Sequence, residues 1–176
     1  MKGHQSVLRI AQRTPNLCWE ACAKMLYLWK HRTDKGAEAK YEELAASYVK
    51  LNRALSLGDP VAVEFFHKLG AKRYKKVKIE TLAVLLKTSP VVVGWTAETG
   101  GHAFVVIGSD AKQWAVINPM YDQTYSGGAI VIGKSDATSS MGEASGTWKV
   151  RTEMKDRKPF FDKLGVSLWA YHGNDG

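Results

Sequence analysis

Apolar residues at positions 18, 21, 22, 25, 26 and 29 recur at the i, i+3, i+4, i+7 spacing of one buried helix face, which predicts a helix over about 17–31. A polar link from Arg32 to Lys40, broken by Gly36, follows it. Apolar residues at 41, 44, 45, 48 and 51 predict a second helix from Tyr41 to Leu55. Gly58-Asp59-Pro60 ends that segment, and Asp59 as N-cap with Pro60 at the first helical position predicts a third helix through Leu69. Lys78 to Leu86 reads as a short fourth helix. Ser89-Pro90 then delivers the chain into Val91-Val92-Val93-Gly94-Trp95, a short apolar run that predicts a buried strand. Residues 102–108, 113–118 and 128–134 continue a sheet, and 147–152 and 166–171 close it. The Ser-, Gly-, Thr- and Ala-rich stretch from Ser135 to Gly146 predicts a loop.

Helices first and strands later is an α+β arrangement. It predicts one domain over 1–176, with a helical part (about 10–88) packed on an antiparallel sheet part (about 90–172). Of the 176 residues, 45% are apolar and 24% charged, which is ordinary globular usage with enough chain for a substantial core. No apolar run approaches the ~20 uninterrupted residues of a membrane span. The stretch from Met1 to Ile10 lacks the apolar core of a secretory signal, so the expected location is the producer's cytoplasm. The two cysteines, Cys18 and Cys22, stand four apart in one helix. They make no disulfide framework and have no partners at zinc spacing, which suits a reducing interior and implies neither metal nor cofactor.

Cys18 changes the picture. It falls in the first turn of its predicted helix, where unpaired N–H groups and the positive end of the helix dipole favour a thiolate. His102 opens the strand Gly100-Gly101-His102-Ala103-Phe104-Val105-Val106-Ile107, and Asn118 ends Trp114-Ala115-Val116-Ile117-Asn118. If those two runs pair as a hairpin about Gly108 to Lys112, Asn118 lies beside His102. A thiol needs a base to take its proton, and the base needs an orienter, so Cys18, His102 and Asn118 fit nucleophile, base and orienter. Gln12, six residues before Cys18, fits the donor to an oxyanion together with the Cys18 N–H. Cys22 reads as a small core residue. Asp122 is the rival to Asn118, whereas Asp110 falls in the hairpin turn. His4, His31, His67 and His172 stand in polar or terminal surroundings and read as surface residues.

Gln12-x5-Cys18-Trp19, then His102-Ala103 and an apolar strand, then Asn118 sixteen residues on, resembles the papain-like cysteine peptidases, in which Gln, Cys, His and Asn keep this chain order. The closer resemblance is to compact bacterial members, the staphopain-like and bacteriocin-processing double-glycine peptidases. It covers roughly residues 10–30 and 80–122. The chain departs from the pattern at Glu20, where small residues are common, and at Pro119, where the large enzymes carry Ser. The resemblance implies a papain-like fold and peptide-bond hydrolysis through an acyl-enzyme, with Trp19, Trp95, Gly100 and Gly101 as cleft walls. It also implies a protein substrate with Gly near the cut and, for compact bacterial members, a toxin or effector role. Such a protein is delivered into a target cell by a secretion system and neutralised at home by an inhibitor or immunity protein. Only eleven residues precede Gln12, which leaves little room for an inhibitory pro-segment. The nucleophile leaves the acceptor open: a deamidase, transglutaminase, deubiquitinase or peptidoglycan amidase would use the same apparatus.

The formal charge of +8 concentrates in two runs, Lys68 to Lys78 and Lys149 to Lys163. Such a stripe steers acidic partners. The non-enzymatic alternative is a basic module binding protein or nucleic acid, with Cys18 and His102 incidental. No zinc-finger spacing, RNA-binding aromatic motif or phosphate-cradling Gly loop accompanies the charge, so an acidic protein partner is expected and nucleic acid is not.

Overall fold

A computed structural model describes residues 2–75, 77–95, 101–121, 123–126, 129–132 and 150–171. The sequence expectations for Gly100, Asp122, His172 and the loop 135–146 lie outside the described residues. In chain order the elements are β1 (Lys2–Gly3), α1 (Cys18–Lys30), α2 (Ala37–Leu51), α3 (Pro60–Lys68), β2 (Lys72–Lys75), α4 (Ile79–Leu85) and β3 (Val91–Trp95). They continue with β4 (His102–Ser109), β5 (Gln113–Tyr121), β6 (Gln123–Ser126), β7 (Ala129–Ile132), β8 (Val150–Asp156), α5 (Arg157–Asp162) and β9 (Ser167–Ala170). The fold is α+β.

The strands of the main sheet run β2-β9-β3-β4-β5-β8, all antiparallel, with β1 paired to the far end of β4. Alternate residues along the central strands face opposite sides, as a period of two requires. Ala103, Val105, Ile107, Ala115, Ile117 and Trp169 pack toward α1, α2 and α3. Phe104, Val106, Trp114, Val116 and Leu168 pack instead under α4 and α5, against Leu82, Leu85 and Phe160. Both faces are covered, which is why these strands read as unbroken apolar runs.

Several element boundaries differ from the sequence expectation. The second helix starts and ends four residues early. Asp34 Oδ1 accepts the Gly36 N–H at 2.8 Å just ahead of it, and Asn52 stops it in the left-handed conformation, φ 47°. Asn tolerates that conformation better than most residues, so it outweighs the apolar spacing that continues to Leu55. The third helix is as expected: Asp59 Oδ1 accepts the Val61 N–H at 2.9 Å. Residues 129–132 do not extend the main sheet but pair with β6 in a separate two-stranded ribbon. Strand β2, Lys-Arg-Tyr-Lys, was hidden by its charge; it is an edge strand, where lysines are common.

His4 and His31 are partly buried rather than fully exposed. His4 Nε2 bonds the Leu86 carbonyl at 2.7 Å and the ring stands edge-on to Trp29, while His31 packs on Tyr27. Burial lowers the pKa of both. His67 is exposed, with one edge against Trp169. Among the described residues no helix is long and apolar enough to cross a membrane.

Candidate active site

Cys18 is the first residue of α1, and Leu17 before it supplies no side-chain cap. The first-turn N–H groups are therefore left to other partners. The backbone N–H groups of Ala103, Trp19 and Cys18 itself pull the pKa of the Cys18 thiol down. Burial nevertheless dominates: it pushes the thiol above its ordinary pKa, and those three donors only partly offset it. The helix terminus alone therefore does not offset burial, in keeping with the expectation that a base takes the proton. Cys22, one turn on, is fully buried with its thiol pushed up much further by the same cause.

Ala103 directly follows His102, so the residue whose N–H lowers the Cys18 pKa and the candidate base are consecutive on β4. His102 is the first residue of β4 and pairs in register with Trp95, the last of β3. Its Nε2 lies 2.5 Å from Asn118 Oδ1. The β4–β5 hairpin creates that proximity, with Asp110 confined to its turn, where Oδ1 accepts the Lys112 and Gln113 N–H groups at 2.8 Å each. Asn118 is 7% exposed, and its carboxamide is held at both ends: Oδ1 also accepts the Met120 N–H at 3.0 Å and Nδ2 donates to Glu153 Oε1 at 3.1 Å. Sequence reading missed Glu153, because it sits on β8, a strand expected to end at 152.

Gln12 is buried in the loop leading to α1. Its backbone N–H donates to the Pro119 carbonyl at 2.8 Å, which fastens it beside Asn118. Its side-chain Nε2 donates one hydrogen to the Thr14 carbonyl at 2.9 Å and keeps a second. That loop is tied down from two sides. Thr14 Oγ1 donates to Asn52 Oδ1 at 2.5 Å, Asn16 Nδ2 to the Asn52 carbonyl at 3.0 Å, and Trp19 Nε1 to the Arg53 carbonyl at 2.9 Å. The early end of α2 is what frees those carbonyls. On the other side Arg13 holds Glu20 through Nε (3.3 Å) and Nη2 (3.1 Å), and Nη2 also reaches Glu42 at 2.6 Å. Glu20, the departure from the family pattern, is thus the buried anchor of the loop carrying Gln12.

The expected cleft walls divide. Trp19 is 1% exposed and packs edge-on against Phe65, so it is core. Trp95 and Gly101 do line a cleft beside His102. This cleft holds about 120 Å³ and is closed on its other sides by Leu55 to Gly58 and Gly165 to Ser167. A Cβ on Gly101 would sit 2.4 Å from the Trp95 carbonyl oxygen, so only glycine lets β3 and β4 meet there. The other side of Trp95 faces a wider hollow of about 330 Å³, where Lys155 and Lys163 lie over the indole at 5.7 and 5.3 Å. Elsewhere the basic runs are partly spent on structure. Lys68 pairs with Glu64, Lys158 with Asp162, and Arg157 stacks on Trp114. Among the described residues no group of three or more His, Cys, Asp or Glu could hold a metal.

Neither a curated protein nor a solved structure matches the chain. A family model described as "Papain-like cysteine protease AvrRpt2" matches residues 2–128, more than half of the sequence and the whole stretch from Gln12 through Asn118. The chain belongs to this family of papain-like cysteine proteases.

Proposed function

We infer that the chain hydrolyses peptide bonds of a protein substrate, with Cys18 as nucleophile, His102 as acid and base, Asn118 as orienter and Gln12 as oxyanion donor. The observation that carries this reading is the His102–Asn118 hydrogen bond, one residue from Ala103, whose N–H acts on the Cys18 thiol. Asn118 engages His102 Nε2, and this reading assigns the thiol proton to Nδ1. The sulfur then attacks the scissile carbonyl carbon, whose π electrons move onto oxygen. The second Gln12 N–H and the Cys18 N–H stabilise that oxyanion. Its collapse breaks the C–N bond, and the amine leaves with the proton from His102. Water, deprotonated by His102, attacks the thioester, releases the acid and returns the proton to sulfur.

The cleft beside Trp95 and Gly101 is where substrate backbone lies in this reading, with Gly near the cut as the double-glycine peptidases suggest. Lys163 favours acidic residues on the Trp95 side. The biological reading is an effector acting inside another cell, restrained in its producer by a partner protein. Mapping of new amino termini in a proteome treated with the wild-type chain or Cys18→Ala tests the activity. Peptides with broken main chains that require Cys18 support proteolysis, whereas a one-dalton shift or crosslinks would assign deamidation or transfer instead.

A further inference from the structure

We propose that Glu153 is a positioning residue whose carboxylate locks the Asn118 carboxamide and thereby selects the tautomer of His102. The inference rests on the Cys18, His102 and Asn118 reading given above. Register puts Val116 opposite Glu153 and Asn118 opposite Arg151, so Asn118 and Glu153 are diagonal neighbours on one face of the sheet. A carboxamide is nearly symmetric in shape, and a half-turn exchanges its oxygen and nitrogen. Here the half-turn is opposed at two points. The Met120 N–H is a donor whatever the amide does, and it faces Oδ1 at 3.0 Å. An ionised carboxylate only accepts, and Glu153 Oε1 faces Nδ2 at 3.1 Å.

Turning the amide would set oxygen against oxygen at Glu153 and N–H against N–H at Met120. With Oδ1 held toward the ring, His102 Nε2 carries the hydrogen and the neutral ring keeps its Nδ1 lone pair for the thiol proton. Lys155 Nζ holds the other Glu153 oxygen at 2.6 Å, so the carboxylate is fixed from both ends. Its negative charge, two hydrogen bonds from the ring, also favours the imidazolium that forms when Cys18 gives up its proton.

The test follows the rate of Cys18 alkylation by iodoacetamide across pH, with folding checked by circular dichroism. Glu153→Ala lowers the rate at pH 7 about tenfold, the low end of what a hydrogen bond to a charged group supports, and moves the onset of reactivity to higher pH. Glu153→Gln keeps an acceptor of the same shape and falls between wild type and Glu153→Ala. Asn118→Asp sets two carboxylates against each other and drops further, and Asn118→Asp with Glu153→Gln recovers part of the loss. A folded Glu153→Ala with the wild-type profile, or an Asn118→Asp rate indifferent to Glu153→Gln, overturns the proposal. If Glu153→Ala does not fold, the isosteric Glu153→Gln and the double variant decide. His102→Ala is the separate control. If it leaves the profile unchanged, the active-site reading itself fails; if it abolishes reactivity while the Glu153 variants do not, only this inference fails.

Discussion

Replacing Arg13 by Met removes the cation that faces Glu20, a carboxyl whose side chain is 1% exposed. The consequence can be bounded from the structure. Glu42 keeps the buried Lys24 ammonium at 2.6 Å, so its charge stays paired and the penalty falls on Glu20. Glu20 retains only the Tyr41 O–H at 3.0 Å and must either stay charged in the core or take up a proton. Protonation sets the ceiling. From a reference pKa of 4.5 to pH 7, at about 1.36 kcal/mol per unit, it costs about 3.4 kcal/mol. The loss is smaller than that, because burial already raises the Glu20 carboxyl in the wild type, against the pull of Arg13 and Tyr41. We expect a loss of about 2 kcal/mol at pH 7, within the range of a broken buried pair after allowing for the partial exposure of Arg13. At pH 5.5 the same ceiling is about 1.4 kcal/mol, so the penalty shrinks as pH falls. Urea unfolding of wild type, Arg13→Met and Arg13→Met with Glu20→Gln at both pH values measures this. The double variant regains stability at pH 7. An Arg13→Met penalty equal at pH 7 and 5.5, or no recovery in the double variant, refutes a buried charge at Glu20 as the cause.

Gln12→Ala lowers kcat by about 10²-fold, as loss of one oxyanion donor does, and leaves the Cys18 alkylation rate within a fewfold of wild type, because alkylation builds no oxyanion. Equal losses in both assays would place Gln12 in the loop framework only. Gly101→Ala forces β3 and β4 apart at Trp95 and misplaces His102; steady-state kinetics are expected to show a loss on the order of 10²-fold. Wild-type kinetics would contradict the close approach at that position. Burial depresses the pKa of His4 and His31, and Arg13 and Lys24 depress Glu42 against the opposing effect of its own burial. Groups lowered in the folded state stabilise it above their unfolded pKa and lose that contribution as pH falls through the folded value. Thermal melting temperature therefore declines from pH 7 toward pH 5 through the two histidines and further below about pH 4.5 through Glu42. His4→Gln flattens the upper part of that decline.

Cys18 and His102 could be proposed from the sequence because each opens a strongly patterned element, and Asn118 because it closes an apolar run, which the structure continues as β5 to Tyr121. An end is where a side chain can leave the core while its backbone stays fixed. A short turn between two apolar runs left one pairing for β4 and β5, and Asn118 followed from it. The residues that hold this machinery were illegible for a different reason: their roles depend on contacts across the fold that no local period encodes. Asn52 looked like one more helical position, yet by ending α2 early it leaves the carbonyls of 52 and 53 to bind Asn16 and Trp19. Glu20 stood out in the sequence only as a departure from the family pattern, and nothing local joined it to Arg13, seven residues away, or to Glu42 and Tyr41 on α2. Trp19 follows Cys18 as in the family pattern, but one step round the helix turns its indole into the core rather than the cleft. On the reading proposed above, the nucleophile and the base open α1 and β4, and the groups that aim them are charged and polar residues distant in sequence. Substitutions at those distant positions are therefore expected to change chemistry and stability together, whereas Gln12, which supports little of the core, is the place where the two separate.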